Sequence, residues 1–261
     1  MTFNFNSELY ADPRFTEGVD YARRYRRHER FDDTLARTDD VPKTTILAPH
    51  GGGIEPGTSE LCLAVAGYHP ASLPQIPPAG VTYDYWMLEG VRDGGNAVLH
   101  VTSVGCDDGV AVSLCAGSLN ALSLHGFAPR PPDMSEDDQI VLIGGRNTTL
   151  RGYLLQGLCT AGFDARDIGQ EEELNGNVGR HGELNGNARC NIVNRTLLGM
   201  GAQLELSTPL RDAMFTEHSR SRRKHTTTEV FWTFVAACRD ALGRLEAGQI
   251  VARPELRCLE S

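Results

Sequence analysis

The chain predicts an α/β fold with a mixed, largely parallel sheet covered on both faces. Three observations carry this. Short apolar, β-branched runs alternate with longer helical segments. The 261 residues suffice to bury a full core. The apolar (40%) and charged (23%) fractions are ordinary for a globular domain.

The elements follow in order. Residues 1–40 are polar and charged and read as an arm packed on the domain, with a helix expected around Thr16–Arg27. The run from Tyr21 to Arg30 holds five arginines and reads as a solvated helix face. Residues 41–261 read as a single α/β domain. Its first strand, Thr44–Pro49, stops at His50 and gives way to Gly51-Gly52-Gly53. A helix is expected after Gly57, capped by Thr58 or Ser59 and with Leu61–Ala66 as its apolar body. Further strands are expected at Val81–Leu88, Ala97–Val101, Ala121–Leu124, Gln139–Ile143 and Ala202–Leu206. Helices are expected at Gly109–Leu119, Asn147–Ala161, Pro209–Glu217 and Thr227–Ala247, the last opened by a threonine cap. In such folds active sites lie beyond the C-terminal ends of the strands.

One motif repeats. Glu173-Leu174-Asn175-Gly176-Asn177 recurs as Glu183-Leu184-Asn185-Gly186-Asn187. Two copies do not build a solenoid, and the Asn-Gly-rich composition reads as a long surface loop, with a lid over the site as the weaker alternative.

Composition excludes several classes. The net charge of −9 argues against nucleic-acid binding, which needs an electropositive footprint. No run approaches the ~18 apolar residues of a membrane span, and the N-terminus has no basic-then-apolar leader. A cytoplasmic protein is therefore expected, and release by lysis would also fit. The seven cysteines include no C-x-x-C pair and are expected to be buried reduced thiols.

The chemistry-bearing residues cluster at expected strand ends. His50 and Glu55 bracket the glycines, which let the backbone turn sharply so that both side chains converge on one point. Such a pair suits zinc, commonly held by three protein side chains with a fourth position open. A glycine-rich loop after a strand equally suits an anion on its N–H groups. A third ligand has two candidates, His100 and His125. His125 is preferred because it ends its run before a glycine, whereas His100 sits inside a β-type run. Glu205 alternates with Leu204 and Leu206 and is a candidate general base, a buried glutamate being costly without a task or partner. Arg195 offers oxyanion or carboxylate binding. Arg146, Arg151 and Arg211 stand by expected strand ends and suit substrate carboxylates or surface pairs. The His-Gly-Gly-Gly string also occurs in esterase oxyanion holes, but no Gly-x-Ser-x-Gly elbow accompanies it.

Taken together, His50-Gly51-Gly52-Gly53-Ile54-Glu55-Pro56-Gly57-Thr58-Ser59-Glu60, Leu88-Glu89-Gly90, Leu99-His100-Val101-Thr102-Ser103, Ser123-Leu124-His125-Gly126, Ile143-Gly144-Gly145, Asn191-Ile192-Val193-Asn194-Arg195 and Gln203-Leu204-Glu205-Leu206-Ser207 resemble, in that order, the phage-type poly-γ-glutamate hydrolase family. The resemblance implies a three-layer α/β/α fold like that of zinc carboxypeptidases. It implies one zinc ion per chain on His50, Glu55 and His125, Glu205 as the residue that activates water, Arg195 and Asn194 toward the substrate, and cleavage of γ-glutamyl amide bonds in poly-γ-glutamate. Two other functions stay open. One is a metal-dependent amidase or deacylase on small N-acyl amino acids. The other is a non-catalytic metal- or polymer-binding module, against which a base beside the metal argues. The basic run His218–His225 is either a polymer-tracking rim or an exposed loop.

Overall fold

The computed structural model describes residues 3–28, 44–74, 81–129, 134–169 and 182–251. The strands are β1 (Tyr21–Arg26), β2 (Thr44–Gly52), β3 (Asp84–Gly90), β4 (Asn120–Phe127), β5 (Ile140–Gly144), β6 (Asp164–Asp167) and β7 (Ala202–Ser207). They form one seven-stranded sheet in the order β1-β3-β2-β4-β7-β5-β6. The pairings β2–β3, β2–β4, β4–β7 and β5–β6 are parallel, while β1–β3 and β5–β7 are antiparallel. The helices are α1 (Asn6–Ala11), α2 (Thr58–Val65), α3 (Gly109–Ala116), α4 (Thr148–Thr160), α5 (Thr208–Ala213), α6 (Arg220–Arg223) and α7 (Glu229–Val251).

Period-2 alternation sorts the strand residues into two cores. On one face Ile46, Leu122, Leu124, Leu204 and Leu206 pack against Leu61 of α2, Leu150 and Leu154 of α4, and Phe231 and Phe234 of α7. On the other, Leu47, Trp86 and Leu88 pack against Leu9 of α1, Leu114 of α3, and Ile192 and Val193. The expected three-layer α/β/α architecture is the one found.

Local expectations changed where side chains found long-range partners. The segment expected as a helix at Thr16–Arg27 contains instead the edge strand β1, paired with β3 from Tyr21↔Gly90 to Arg26↔Tyr85. Two of its three arginines are ion-paired, Arg23 with Glu17 and Asp108 and Arg24 with Glu89, and Arg26 lies over the Tyr68 ring. Charged side chains on an edge strand also discourage further strand addition. The run Ala97–Val101 is not a strand. Gly95 takes φ +69°, Asn96 bonds the backbone of Arg92 through both ends of its amide, and Asn96–Leu99 closes into a 3-10 turn. That leaves His100 in a loop. At α2 the N-cap is Gly57, at φ +100°, rather than Thr58 or Ser59. The two hydroxyls bond the glycine loop instead, Thr58 Oγ1 to Glu55 O and Gly52 N to Ser59 Oγ. Strand β4 runs two residues beyond His125, and the short strand β6 was not foreseen. Cys62, Cys106, Cys115 and Cys238 are buried free thiols as expected, but Cys159 and Cys190 are exposed. The first copy of the Glu-Leu-Asn-Gly-Asn repeat and Cys258 lie outside the described residues. Among the described residues no helix is long and apolar enough to cross a membrane.

Arg151 on α4 is 4% exposed, pairs with Asp167 at 2.9 Å and bonds the Gly145 carbonyl. Arg151→Met leaves Asp167 buried without its cation. Urea denaturation should show a loss of about 3–5 kcal/mol; a loss under about 1 kcal/mol would show that the pair is dispensable.

Candidate active site

The site forms where β2, β4 and β7 end. A register shift between Ala48 and Gly51 in β2 marks a bulge, a device that re-aims side chains at the rim of a sheet. It places His50, 3% exposed, at the mouth of the sheet. The backbone then turns back on itself, with Glu55 N donating to His50 O at 2.8 Å. The turn needs its glycines: a Cβ on Gly51 would collide with Ser59 Oγ, and one on Gly53 with the Asn96 amide.

From β4 and β7, Leu122, Leu124, Leu204 and Leu206 point into one core, so Ser123, His125, Gln203 and Glu205 share the opposite face. His125 lies directly opposite Glu205 in the β4–β7 register. The parallel pairing of two strands thus sets imidazole and carboxylate side by side.

Three electron-rich atoms meet at the centre. His50 Nδ1 lies 2.7 Å from Glu55 Oε1 and 3.1 Å from His125 Nδ1, and His125 Nδ1 lies 3.6 Å from Glu55 Oε2. His50 Nε2 donates to the Val101 carbonyl at 2.7 Å, so in the neutral ring Nδ1 carries a lone pair aimed at the carboxylate. His125 Nε2 is held by Ser123 Oγ at 2.8 Å and Ser103 Oγ at 3.2 Å. Glu55 Oε2 accepts from Gly126 N at 2.8 Å. Both outer ring nitrogens are anchored and both inner ones converge with a carboxylate, the pattern of metal-ligating histidines. A ring proton or a bound cation would satisfy this arrangement, and the donor set of two imidazoles and one carboxylate suits zinc.

Electrostatics agree with this picture. Burial alone would raise the pKa of Glu55, but the facing His50 and His125 imidazoles outweigh it and hold the carboxyl well below the usual range. Burial lowers the pKa of His125 against the pull of Glu55. His100 is pushed down to about 4, first by burial and then by His50.

These residues line a pocket of about 230 Å³, with Gln203 and Glu205 on one side. Gln203 Nε2 donates to Glu205 Oε1 at 2.8 Å, and Asn191 Nδ2 donates to Gln203 Oε1 at 3.0 Å. The structure therefore brings together His50, Glu55, His125 and Glu205. It adds His100, whose ring centroid lies 3.9 Å from that of His50 and whose Nε2 is 3.9 Å from Glu55 Oε1. His50, Glu55 and His100 also form a possible metal-holding group, their ligand atoms all within 4.8 Å of one another. His125 makes the shorter contacts of the two candidates.

The arginines are placed differently from expectation. Arg151 and Arg211 are buried and do not line the pocket. Arg211 bonds Leu206 O and Pro56 O beneath Gly126, where a Cβ would collide with its guanidinium. Arg195 Nη1 donates to Cys106 O at 3.0 Å, also outside the lining. Arg146 is exposed and meets Asn187 O on the outer side of the wall. Asn194 is buried and clamps that wall, donating to Gly186 O and Ala188 O. The wall is the second copy of the repeat, Leu184–Asn187, and not a free surface loop. Its Asn-Gly composition read as exposed turn, because the buried amides of Asn194 and Gln203 that tie it down come from later in the chain.

A mixed α/β sheet with two histidines and two glutamates gathered at or just beyond its strand ends defines the class: an α/β protein with an ionisable cluster in a pocket at the sheet's mouth. The chain belongs to the poly-gamma-glutamate hydrolase family, which matches residues 23–237. It is 30% identical over 202 residues to the SPbeta prophage-derived protein YoqZ of Bacillus subtilis (strain 168), covering 77% of this chain and 62% of YoqZ. It is 31% identical over 189 residues to YndL of the same organism, covering 72% of this chain and 63% of YndL. The matches thus span less than two thirds of these relatives' length. A bacteriophage poly-gamma-glutamate hydrolase structure superposes with a TM-score of 0.71 at 25% identity, covering 94% of this chain and 98% of that one. The zinc-free apo form of YndL superposes at 0.65 and 25% identity, covering 92% and 95%.

Because the folded pKa of His100 is depressed, the unfolded chain binds its proton first. Stability should therefore fall as the pH drops from about 6.5 to about 4. In chelator-treated protein, the stability difference between wild type and His100→Gln should be constant above pH 7 and move against wild type through that window. A difference independent of pH would contradict the buried, neutral state of His100.

Proposed function

We propose that this chain is a zinc-dependent hydrolase of γ-glutamyl amide bonds in poly-γ-glutamate. One zinc ion would be held by His50, Glu55 and His125, and Glu205 would act as general base. The supporting observation is the convergence of both Nδ1 atoms with the Glu55 carboxylate, beside Glu205, in a member of this family. When bound, the ion supplies Lewis acidity at the pocket floor, polarising the amide carbonyl and acidifying water.

The protein's own groups do the rest. Glu205 Oε accepts a proton from the attacking water and returns it to the leaving amine nitrogen. Gln203 fixes Glu205 Oε1 by donating to it, which sets the direction of the carboxylate. His100 is neutral near pH 7, and its N–H is available as a donor toward the developing oxyanion. Arg195 acts by position: its bond to Cys106 O braces the 3-10 turn Ser103–Gly105, which carries one of the two hydroxyls on His125. Arg146, exposed and bonded to Asn187 O at the outer wall, would meet a substrate carboxylate outside the pocket.

A second reading, an amidase on small N-acyl amino acids, is favoured by one observation. The pocket of about 230 Å³ is small, and among the described residues no lysine or arginine lines it. A non-catalytic binding module would have no use for Glu205 opposite His125.

The test is viscosity loss and oligomer release from poly-γ-glutamate, with and without chelator. Activity is expected to vanish on chelation and to return with zinc. Glu205→Gln should lose about 10²–10⁴ of the rate while keeping its metal. Cleavage of small acyl-glutamates alone would select the second reading, and metal-independent cleavage would end both.

A further inference from the structure

We propose that a second cavity, behind the glycine loop, binds the amino end of a γ-glutamyl chain: a primary ammonium flanked by carboxylates. That the ammonium belongs to a γ-glutamyl chain rests on the hydrolase reading; the ammonium class does not.

The cavity has a volume of about 330 Å³ and is lined by Gly52, Glu60, Glu89, Arg220 and Lys224, among others. Its floor is Glu60, in the first turn of α2 and 6% exposed. Glu60 Oε1 lies 3.4 Å from Arg223 Nε, but Glu60 Oε2 has no hydrogen-bond partner among the described residues. Arg223 supplies the paired cation through Nε at Oε1, while its terminal nitrogens donate to Gly52 O at 2.9 Å and His218 O at 2.7 Å, so none of these bonds reaches Oε2. Glu89, the other acidic group in the lining, is engaged by Arg24 Nη1 at both oxygens, 3.1 and 3.2 Å.

A buried carboxylate oxygen without a donor is costly, and the cavity that Glu60 lines is the side from which a donor can reach it. An anion would meet Glu60 and Glu89 head on. A metal would find one uncommitted carboxylate, and Glu60 belongs to no metal-holding group among the described residues. An ammonium supplies both the charge and the N–H. Above the floor, Arg220 and Lys224 carry positive charge with no ion-pair partner among the described residues, which suits carboxylates on the same molecule. Acid below and cation above match a zwitterion. The terminal residue of a γ-linked glutamate chain presents that pattern, with its α-ammonium beside its α-carboxylate. Gly52 belongs to the loop that also carries His50 and Glu55, so the two sites share one loop.

The experiment is a backbone-amide NMR titration of the full chain carrying Glu205→Gln, using γ-glutamyl-glutamate and its N-acetylated form. Amides at 59–63 and 220–225 should shift saturably with the free dipeptide. Binding there should weaken at least about tenfold on N-acetylation, and again in Glu60→Gln. Lys224→Ala, at a rim position, should weaken it without touching the interior. Equal response to both peptides, or none at these amides, overturns the proposal. Amides at 185–188 report separately on the active-site pocket, so failure of the hydrolase reading would show there and not at 59–63.

Discussion

The molecule is organised around one electrostatic constraint: two imidazole nitrogens and a carboxylate face each other across about 3 Å, an arrangement that a proton or a bound cation between them makes favourable. The surrounding contacts all act to hold it. The Val101 carbonyl sets the His50 tautomer, two serine hydroxyls fix the far side of the His125 ring, and the Gly126 N–H holds Glu55. Burial raises the stakes, since charge is expensive to leave uncompensated in a poorly hydrated interior. Burial works against the Glu55 carboxylate, and the facing His50 and His125 imidazoles hold its pKa down.

Sheet geometry supplies the rest. Parallel pairing of β4 with β7 puts His125 opposite Glu205, and alternation sends the neighbouring leucines to the far core. The bulge in β2 and the crowded glycines after it bring His50 and Glu55 to the same point. Behind this constellation a polar lattice runs from Asn191 through Gln203 to Glu205, and from Asn194 to the 184–188 wall. The pocket wall and Glu205 are therefore braced by the same buried amides, which links the shape of the wall to the aim of the carboxylate.

Much of this was legible in the sequence. Long apolar runs located β2, β3, β4, β5, β7 and the main helices, because local pattern and burial agree there. The residues that the structure gathers, His50, Glu55, His125 and Glu205, are legible because His50 and His125 end apolar runs, the glycines bring Glu55 back to His50, and Glu205 alternates with Leu204 and Leu206. The failures share a cause. Arginine-rich β1 read as a helix because its partners, Glu89 and Asp108, are distant in sequence. His100 was set aside as a strand residue because the Asn96 turn that frees it depends on side-chain-to-backbone bonds that apolar periodicity does not register. Arg151 and Arg211 looked like substrate ligands, but the structure turns them inward to Asp167, Gly145 and Leu206. The wall role of the repeat's second copy depends on tertiary clamps invisible in composition.

The most direct measurement is the zinc content of purified wild type, His125→Ala and His100→Ala after dialysis. The account predicts one zinc per wild-type chain, its loss in His125→Ala and its retention in His100→Ala. Retention in His125→Ala with loss in His100→Ala would contradict it and move the metal to the His50–Glu55–His100 side of the pocket.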